Sequence, residues 1–219
     1  MSTNIFQQAI FGVYEILSDI IPGFIILITT FSFFYTYLPK SIPESLYIVS
    51  FIFISFIIGQ IIHCIASNIE GYINNIKYGG YPSALFMTNN NNTFPQYFKD
   101  NIRQQLYHEY GTPLDSDPQH VFDLCYTFVT QNNLSNRVMI FLNMYTFSRN
   151  MMLVTIIEGI YLGIISYVTY NANLWLMSMV VIISSYFFYH RFIRYAESFA
   201  KEVLRSYFIN RVVKVINKD

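Results

Sequence analysis

The stretch MMLVTIIEGIYLGIISYVT, residues 151–169, decides the fold class of this 219-residue chain. Glu158 is its single charged side chain, and most of its other residues are apolar. A helix needs about 20 mostly apolar residues to cross the hydrocarbon layer of a bilayer, which is about 30 Å thick. The stretch therefore predicts a membrane-spanning α-helix.

Three further windows have the same character, and they cover residues 17–38, 46–67 and 174–189. The composition agrees, because 53% of the residues are hydrophobic and 12% are charged, against roughly 25% charged in an ordinary soluble domain. We therefore expect an all-α integral membrane protein. It has four transmembrane helices, a helical cytoplasmic insert between spans two and three, and a C-terminal amphipathic helix.

The windows divide the chain into four segments. Residues 1–68 hold an N-terminal interfacial helix and a transmembrane hairpin, and residues 69–150 form the cytoplasmic helical insert. Residues 151–190 form a second transmembrane hairpin, and residues 191–219 form a cytoplasmic tail helix.

The distribution of basic residues predicts the orientation. Every Lys and Arg except Lys40 lies in the insert or in the tail. Cytoplasmic loops carry an excess of Lys and Arg. We therefore expect a multi-pass protein of the bacterial cytoplasmic (inner) membrane, with both termini and the central segment in the cytoplasm.

Local signals predict two or three helices in the insert. The first begins near Pro95 and ends at Gly111, the second starts after Asp117 and Pro118, and the third starts near Ser135 and runs into span three. Proline favours the first turn of a helix and glycine its end.

The tail is predicted to be an amphipathic helix. Its apolar face carries Phe192, Ala196, Phe199, Val203 and Tyr207, and its basic face Arg191, Arg194, Ser198, Lys201 and Arg205. Two interpretations remain open: the apolar face packs on the insert, or it lies on anionic lipid headgroups.

Polar residues inside the spans are the candidate functional residues. An acidic side chain at the bilayer centre costs about 3 kcal/mol, so Glu158 is expected to face protein or water. Gln60, His63 and Ser67 form a polar arc on span two. We expect these four residues to line or gate a pore, with His63 either paired to Glu158 or facing an aqueous path.

Small residues beside this polar arc and beside Glu158 predict close helix packing. Gly159 and Gly163 have the GxxxG spacing, and Ser55 and Gly59 have the same spacing on span two. Glu15 and Asp19 lie four residues apart at the cytoplasmic boundary, where solvated interface positions are expected, with cation binding as the alternative.

The insert offers two weaker motifs. Lys77, Tyr78, Tyr81, Lys99 and Arg103 alternate basic and aromatic groups, as a site for a nucleotide or short single strand does. Arg103 and His108 have the R-x4-H spacing of dimeric HEPN ribonucleases. No other catalytic motif, metal site or cofactor site is predicted.

Two stretches, FLNMYTFSRN at residues 141–150 and RYAESFAKEVLRSYF at residues 194–208, resemble bacterial proteins with two spans, a helical insert and two further spans. The layout is similar to small membrane effectors of antiviral defence, such as the channel-forming component of Hailong-type systems or the accessory membrane protein of type VI-B CRISPR loci. This resemblance implies a homo-oligomer that a nucleotide or oligonucleotide signal opens, with Glu158 and His63 along the conduction path.

The expected function is therefore a ligand-gated, ion-conducting pore formed by a homo-oligomer in the lipid bilayer, with a tetramer favoured. Glu158 would supply cation-attracting charge, and His63 and Gln60 would shape or gate the path. Two alternatives stay open. One is a non-conducting anchor or regulator of a soluble defence partner, and the other is a membrane-tethered HEPN-like ribonuclease.

Overall fold

A computed structural model describes residues 16–34, 44–113 and 115–213. Over these residues every regular element is helical, as the sequence predicts. In chain order they are a π-helical turn at Ile16–Ile20, α1 (Ile21–Phe34), α2 (Glu44–Tyr78), α3 (Pro82–Leu85), α4 (Gln96–Tyr110), α5 (Pro118–Gln131), α6 (Asn136–Thr169), α7 (Ala172–Tyr207) and a second π-helical turn at Phe208–Val213.

The helices form two compact units. The first, called the apolar unit, comprises Met1–Ile69 and Asn143–Ile193. The second, called the insert–tail unit, comprises Glu70–Leu142 and Arg194–Asp219. The division groups the two predicted hairpins together and joins the predicted insert to the tail.

Three helices, α2, α6 and α7, are long and apolar enough to cross a membrane. They contain 35, 34 and 36 residues, so each is about 50 Å long. The first predicted span differs, because the apolar helix there is short, at Ser18–Thr30. That window continues to residue 38, outside the described residues, so a fourth span stays a prediction.

The helix ends of the insert lie where the local signals predict them. The backbone N–H of Gly111 donates to the carbonyl of Tyr107, and its φ of 66° is a left-handed conformation that ends α4. Asp117 precedes Pro118 at the start of α5, where the missing proline N–H costs nothing. The third helix, α6, continues from Asn136 into the apolar stretch.

The insert–tail unit has a conventional apolar core. Its buried members come from α4 to α7 and from the loop between α3 and α4: Phe86, Met87, Phe94, Phe98, Ile102, Leu106, Val121, Phe122, Cys125, Val129, Val138, Ala200, Val203, Leu204 and Tyr207. The predicted apolar face of the tail is thus buried at Val203 and Tyr207, while Arg205 is exposed. This packing supports the first interpretation of the tail over a helix lying on lipid headgroups.

The end of the tail closes over α4. The rings of Phe98 and Phe208 stack with 4.4 Å between centroids, and Phe94 stacks on Phe98 at the same distance. Arg211 forms an ion pair with Glu109 at 3.0 Å. The turn at Phe208–Val213 therefore belongs to the packed unit.

Small residues bring backbones together in the apolar unit. A Cβ on Gly23 would overlap the carbonyl oxygen of Ser55, and a Cβ on Gly59 would overlap the backbone of Asp19. The first segment and α2 therefore cross in backbone contact. Gly159 lies against the side chain of Ile182 on α7.

The second glycine of the GxxxG pair also faces α7. A Cβ on Gly163 would lie 3.2 Å from the Ser178 hydroxyl. That hydroxyl donates to the carbonyl of Gly159 at 2.7 Å. The four predicted packing residues thus each lie at a helix contact within the chain.

Candidate functional site

The apolar unit has a largely apolar surface, and it buries polar groups beside a small apolar cluster of Ile62, Ala66, Leu153 and Val154. Large hydrophobic side chains are exposed along its helices, for example Phe53, Ile164 and Leu176. Its buried polar and charged residues are Ser18, Asp19, Ser55, Asn143, Thr146, Ser148, Arg149, Asn150, Thr155, Glu158, Ser166 and Ser178. These interior groups form the candidate site.

The first cluster, called the Asp19 layer, consists of Asp19, Gln60 and His63. Asp19 is 2% exposed. Its Oδ2 accepts a hydrogen bond from Gln60 Nε2 at 2.7 Å, and its Oδ1 lies 3.1 Å from His63 Nδ1. Both carboxylate oxygens therefore have a partner.

This geometry corrects the solvated position that the sequence suggests for Asp19. The close crossing at Gly59 presses the turn that carries Asp19 against α2 and removes it from solvent. The other residue of that prediction, Glu15, lies outside the described residues.

The second cluster, called the Glu158 layer, consists of Glu158 and Thr29. Glu158 is 5% exposed. Its Oε1 lies 2.7 Å from the Thr29 hydroxyl. Its Oε2 is buried and has no hydrogen-bond partner within the described chain.

The structure does not pair His63 with Glu158, which was one of the two alternatives, because α1 and the turn before it supply a partner to each. Asp19 bonds His63, and Thr29 bonds Glu158. Ten residues separate Asp19 from Thr29, which is about 15 Å along a helix. The two layers therefore lie at different depths, although the sequence suggested comparable ones.

Further polar contacts join the first segment to α6. Asn150 Nδ2 donates to the carbonyl of Ser18 at 2.6 Å. Arg149 is 5% exposed. Its Nε donates to Asn150 Oδ1 at 3.3 Å, and its guanidinium lies 6.0 Å from the Tyr145 ring centroid. Arg149, which the sequence groups with the basic residues of the insert, is thus an interior residue.

The other candidate pore residues are more open. Gln60 is exposed, and Ser67 is half-buried. The His63 side chain keeps 28% of its surface exposed. The Asp19 layer therefore reaches the surface of the single chain.

Two of the five candidate ligand residues hold loops together. Lys99 is 1% exposed, and its Nζ donates to the carbonyls of Thr88 and Asn91. Burial lowers the pKa of Lys99, because desolvation disfavours the ammonium ion. Arg103 donates to the carbonyls of Ser116 and Met87 at 3.1 and 3.3 Å.

The other three candidate ligand residues lie at the end of α2 and just beyond it. The Tyr78 hydroxyl donates to Glu197 Oε1 at 2.9 Å. Lys77 is exposed, with its Nζ 5.1 Å from the Tyr78 ring centroid, and Tyr81 is 46% exposed. A ligand would meet Lys77 and Tyr81 and not the buried ammonium of Lys99.

The most informative residues were missed at the sequence level. Thr29 and Asn150 look like ordinary helix residues, and their roles depend on contacts with distant segments. Asp19 carried a usable signal, because it is an acid inside the apolar window 17–38.

Neither a protein-family model, nor a curated protein, nor a solved structure matches the chain.

Proposed function

We propose that this protein is a multi-pass membrane protein whose copies associate to conduct cations across the bilayer. One observation carries the proposal. Two acidic side chains, Asp19 and Glu158, are buried inside a unit with an apolar surface, and neither forms an ion pair with a Lys or Arg of the described residues.

Burial of these acids is costly in a membrane. An acidic side chain at the bilayer centre costs about 3 kcal/mol, and such residues mark ion pathways and proton relays. A purely structural unit would stabilise the same helix contacts with apolar side chains. The two layers are therefore best explained by a need to bind and pass positive charge.

The open edge of the Asp19 layer supports association. Gln60 is exposed and His63 is partly exposed on a helix whose neighbouring surface is apolar. Polar groups of this kind are unfavourable against lipid and face a bundle interior or a water-filled cavity. Symmetric association would place the Asp19 layers of several copies around a shared path.

The proposed mechanism assigns a role to each layer. Asp19 attracts cations at the cytoplasmic end, where His63 and Gln60 set the width and polarity of the path. Glu158 is the second binding position for the cation, further along the path. A ligand that binds the insert–tail unit more tightly in the open state would favour opening.

The resemblance to defence effectors extends the proposal to location and signal. It supports a bacterial cytoplasmic membrane and a nucleotide or oligonucleotide as the activator. Lys77 and Tyr81 are the exposed basic and aromatic groups at which we expect such a ligand to bind.

The alternative of a membrane anchor with a recruiting tail is weaker. Ala200, Val203, Leu204 and Tyr207 of the tail are core residues of the insert–tail unit. Their apolar face is thus already used within the chain, and a soluble partner would meet only the exposed side of the tail.

Ion flux in liposomes tests the proposal. Wild-type protein, Asp19→Asn and Glu158→Gln are reconstituted at several protein-to-lipid ratios, with H⁺, K⁺ or Na⁺ gradients and with ATP or a short RNA as probes for gating. We expect flux in wild type and a loss of most of it in both variants. Asp123→Asn is the control, because Asp123 is exposed in α5 of the insert–tail unit. The proposal fails if wild type is silent in every condition, or if the two variants conduct like wild type.

A further inference from the structure

The contact between Glu158 and Thr29 requires more protons than one hydroxyl provides. Thr29 Oγ1 lies 2.7 Å from Glu158 Oε1, 2.8 Å from the carbonyl oxygen of Ile25 and 3.1 Å from that of Ile26. A threonine hydroxyl has one proton to donate, and a backbone carbonyl only accepts. The short contacts to Glu158 and to Ile25 thus need a proton each.

An ionised Glu158 leaves one of these two contacts without a proton. A carboxylate only accepts, so Thr29 would donate to it and leave its 2.8 Å contact with the Ile25 carbonyl without a proton. Glu158 Oε2 would also be a buried charged oxygen with no donor within the described chain. Leaving a charged group unsatisfied costs more than leaving a neutral one.

A protonated Glu158 supplies the missing proton. The carboxyl O–H then donates to Thr29 Oγ1, and the Thr29 O–H donates to the Ile25 carbonyl, so each short contact holds one proton. Oε2 becomes the carbonyl oxygen of a neutral acid, which is far less costly to bury than an ion.

The charged groups nearby do not supply a counter-charge. Asp19 accepts from Gln60 and His63 in the other layer. Arg149 donates to Asn150 and lies near the Tyr145 ring. Glu158 forms no ion pair within the described residues, and its one hydrogen-bond partner there is the neutral Thr29.

We propose that Glu158 is a proton-binding site, held in this conformation as a neutral carboxylic acid that donates its proton to Thr29. The proposal deepens the proposed function, on which it rests, by making the proton the ion that occupies the Glu158 layer. Release of this proton would break the donor chain from α6 to α1. The Asp19 layer, with a donor on each oxygen, is assigned no such proton.

Infrared spectroscopy tests the protonation state. Spectra of wild type, Glu158→Gln and Asp19→Asn are recorded in liposomes at neutral pH, in water and in heavy water. Wild type should show the C=O band of a protonated carboxyl group, shifted by deuterium, which is lost in Glu158→Gln and kept in Asp19→Asn. Absence of the band in wild type, or its survival in Glu158→Gln, overturns the proposal.

Thr29→Val tests the direction of the hydrogen bond, because it removes the hydroxyl and keeps the shape. The carboxyl band should move to the position of an acid without a hydrogen-bond acceptor. An unchanged band would overturn the assignment of Thr29 as acceptor.

A second measurement uses only the wild-type protein, so it does not depend on the folding of a variant. Dicyclohexylcarbodiimide modifies protonated carboxyl groups in apolar surroundings, so mass spectrometry of labelled wild type should find the modification on Glu158. Labelling elsewhere without labelling of Glu158 contradicts the proposal. A protonated Glu158 in a protein without flux would overturn conduction alone, and flux without a protonated Glu158 would overturn this inference alone.

Discussion

The two units of this chain differ in which side chains they expose and which they bury. The insert–tail unit has a mainly apolar core, and its buried Lys99 donates hydrogen bonds to two backbone carbonyls. The apolar unit exposes its large hydrophobic residues and buries Asp19, Arg149, Asn150 and Glu158. Monomeric soluble proteins rarely expose such extended apolar surface. The long apolar helices of this unit are compatible with insertion into a membrane.

The largest expected effect tests the apolar core of the insert–tail unit. Ile102→Ala empties a fully buried position in the core of the insert–tail unit, and should lower the free energy of unfolding by about 3 kcal/mol. Ile140→Ala, at a 53% exposed position of the same unit, should change it by less than about 1 kcal/mol. Chemical unfolding in detergent measures both. Equal effects would contradict the assigned core.

A second test addresses the backbone crossing that creates the Asp19 layer. Gly59→Ala places a Cβ against the backbone of Asp19 and should cost about 2 kcal/mol, since neither backbone can yield cheaply. Gly71→Ala is the matched control on α2, because its Cβ would lie 3.7 Å from the Tyr81 hydroxyl. Alanine there should be neutral or stabilising by up to about 1 kcal/mol. Thermal unfolding separates the two, and a harmless Gly59→Ala would refute the crossing.

A smaller effect is expected in the alkaline pH dependence of the insert–tail unit. Burial raises the pKa values of Cys125 and Tyr207 above their ordinary values of 9.0 and 10.0. Above pH 9 the unfolded chain releases protons that the folded unit keeps, so stability falls as pH rises, by up to about 1.4 kcal/mol per pH unit for each group. Below that pH their contribution is constant.

Cys125→Ala should make this alkaline decline shallower. Tyr97→Phe, which changes an exposed tyrosine of α4, should leave it unchanged. Unfolding midpoints between pH 8 and pH 10 measure the slopes. A slope that Cys125→Ala does not alter would show that the thiol ionises in the folded unit.

Local signals predicted much of the fold. The apolar windows at 46–67, 151–169 and 174–189 lie on the three long helices, and Pro95, Gly111 and Pro118 mark real helix ends. These features depend on residues close in sequence. The amphipathic pattern of the tail also predicted which residues would be buried, because a helix face follows from spacing alone.

The site was less predictable, because its pairs join distant segments. Gln60, His63 and Glu158 were identified as polar candidates inside the spans, but Asp19 and Thr29 were not predicted as their partners. Asp19 lies in a π-helical turn, which shifts the helical phase relative to the 3.6-residue pattern. Lys99 was also misplaced, because its charge suggested a surface ligand site. In the structure it bonds carbonyls that lie 8 and 11 residues away in the sequence.

The most direct test of the central comparison uses two exposed isoleucines of one helix, Ile57 in the apolar unit and Ile76 in the insert–tail unit. Ile57→Lys should cost about 3 kcal/mol if lipid surrounds it, and Ile76→Lys should cost almost nothing in water. The measured quantity is the fraction of folded protein that stays in the membrane after alkaline extraction. We predict a large loss for Ile57→Lys and none for Ile76→Lys. Equal retention of the two variants would contradict a hydrocarbon environment for the apolar unit.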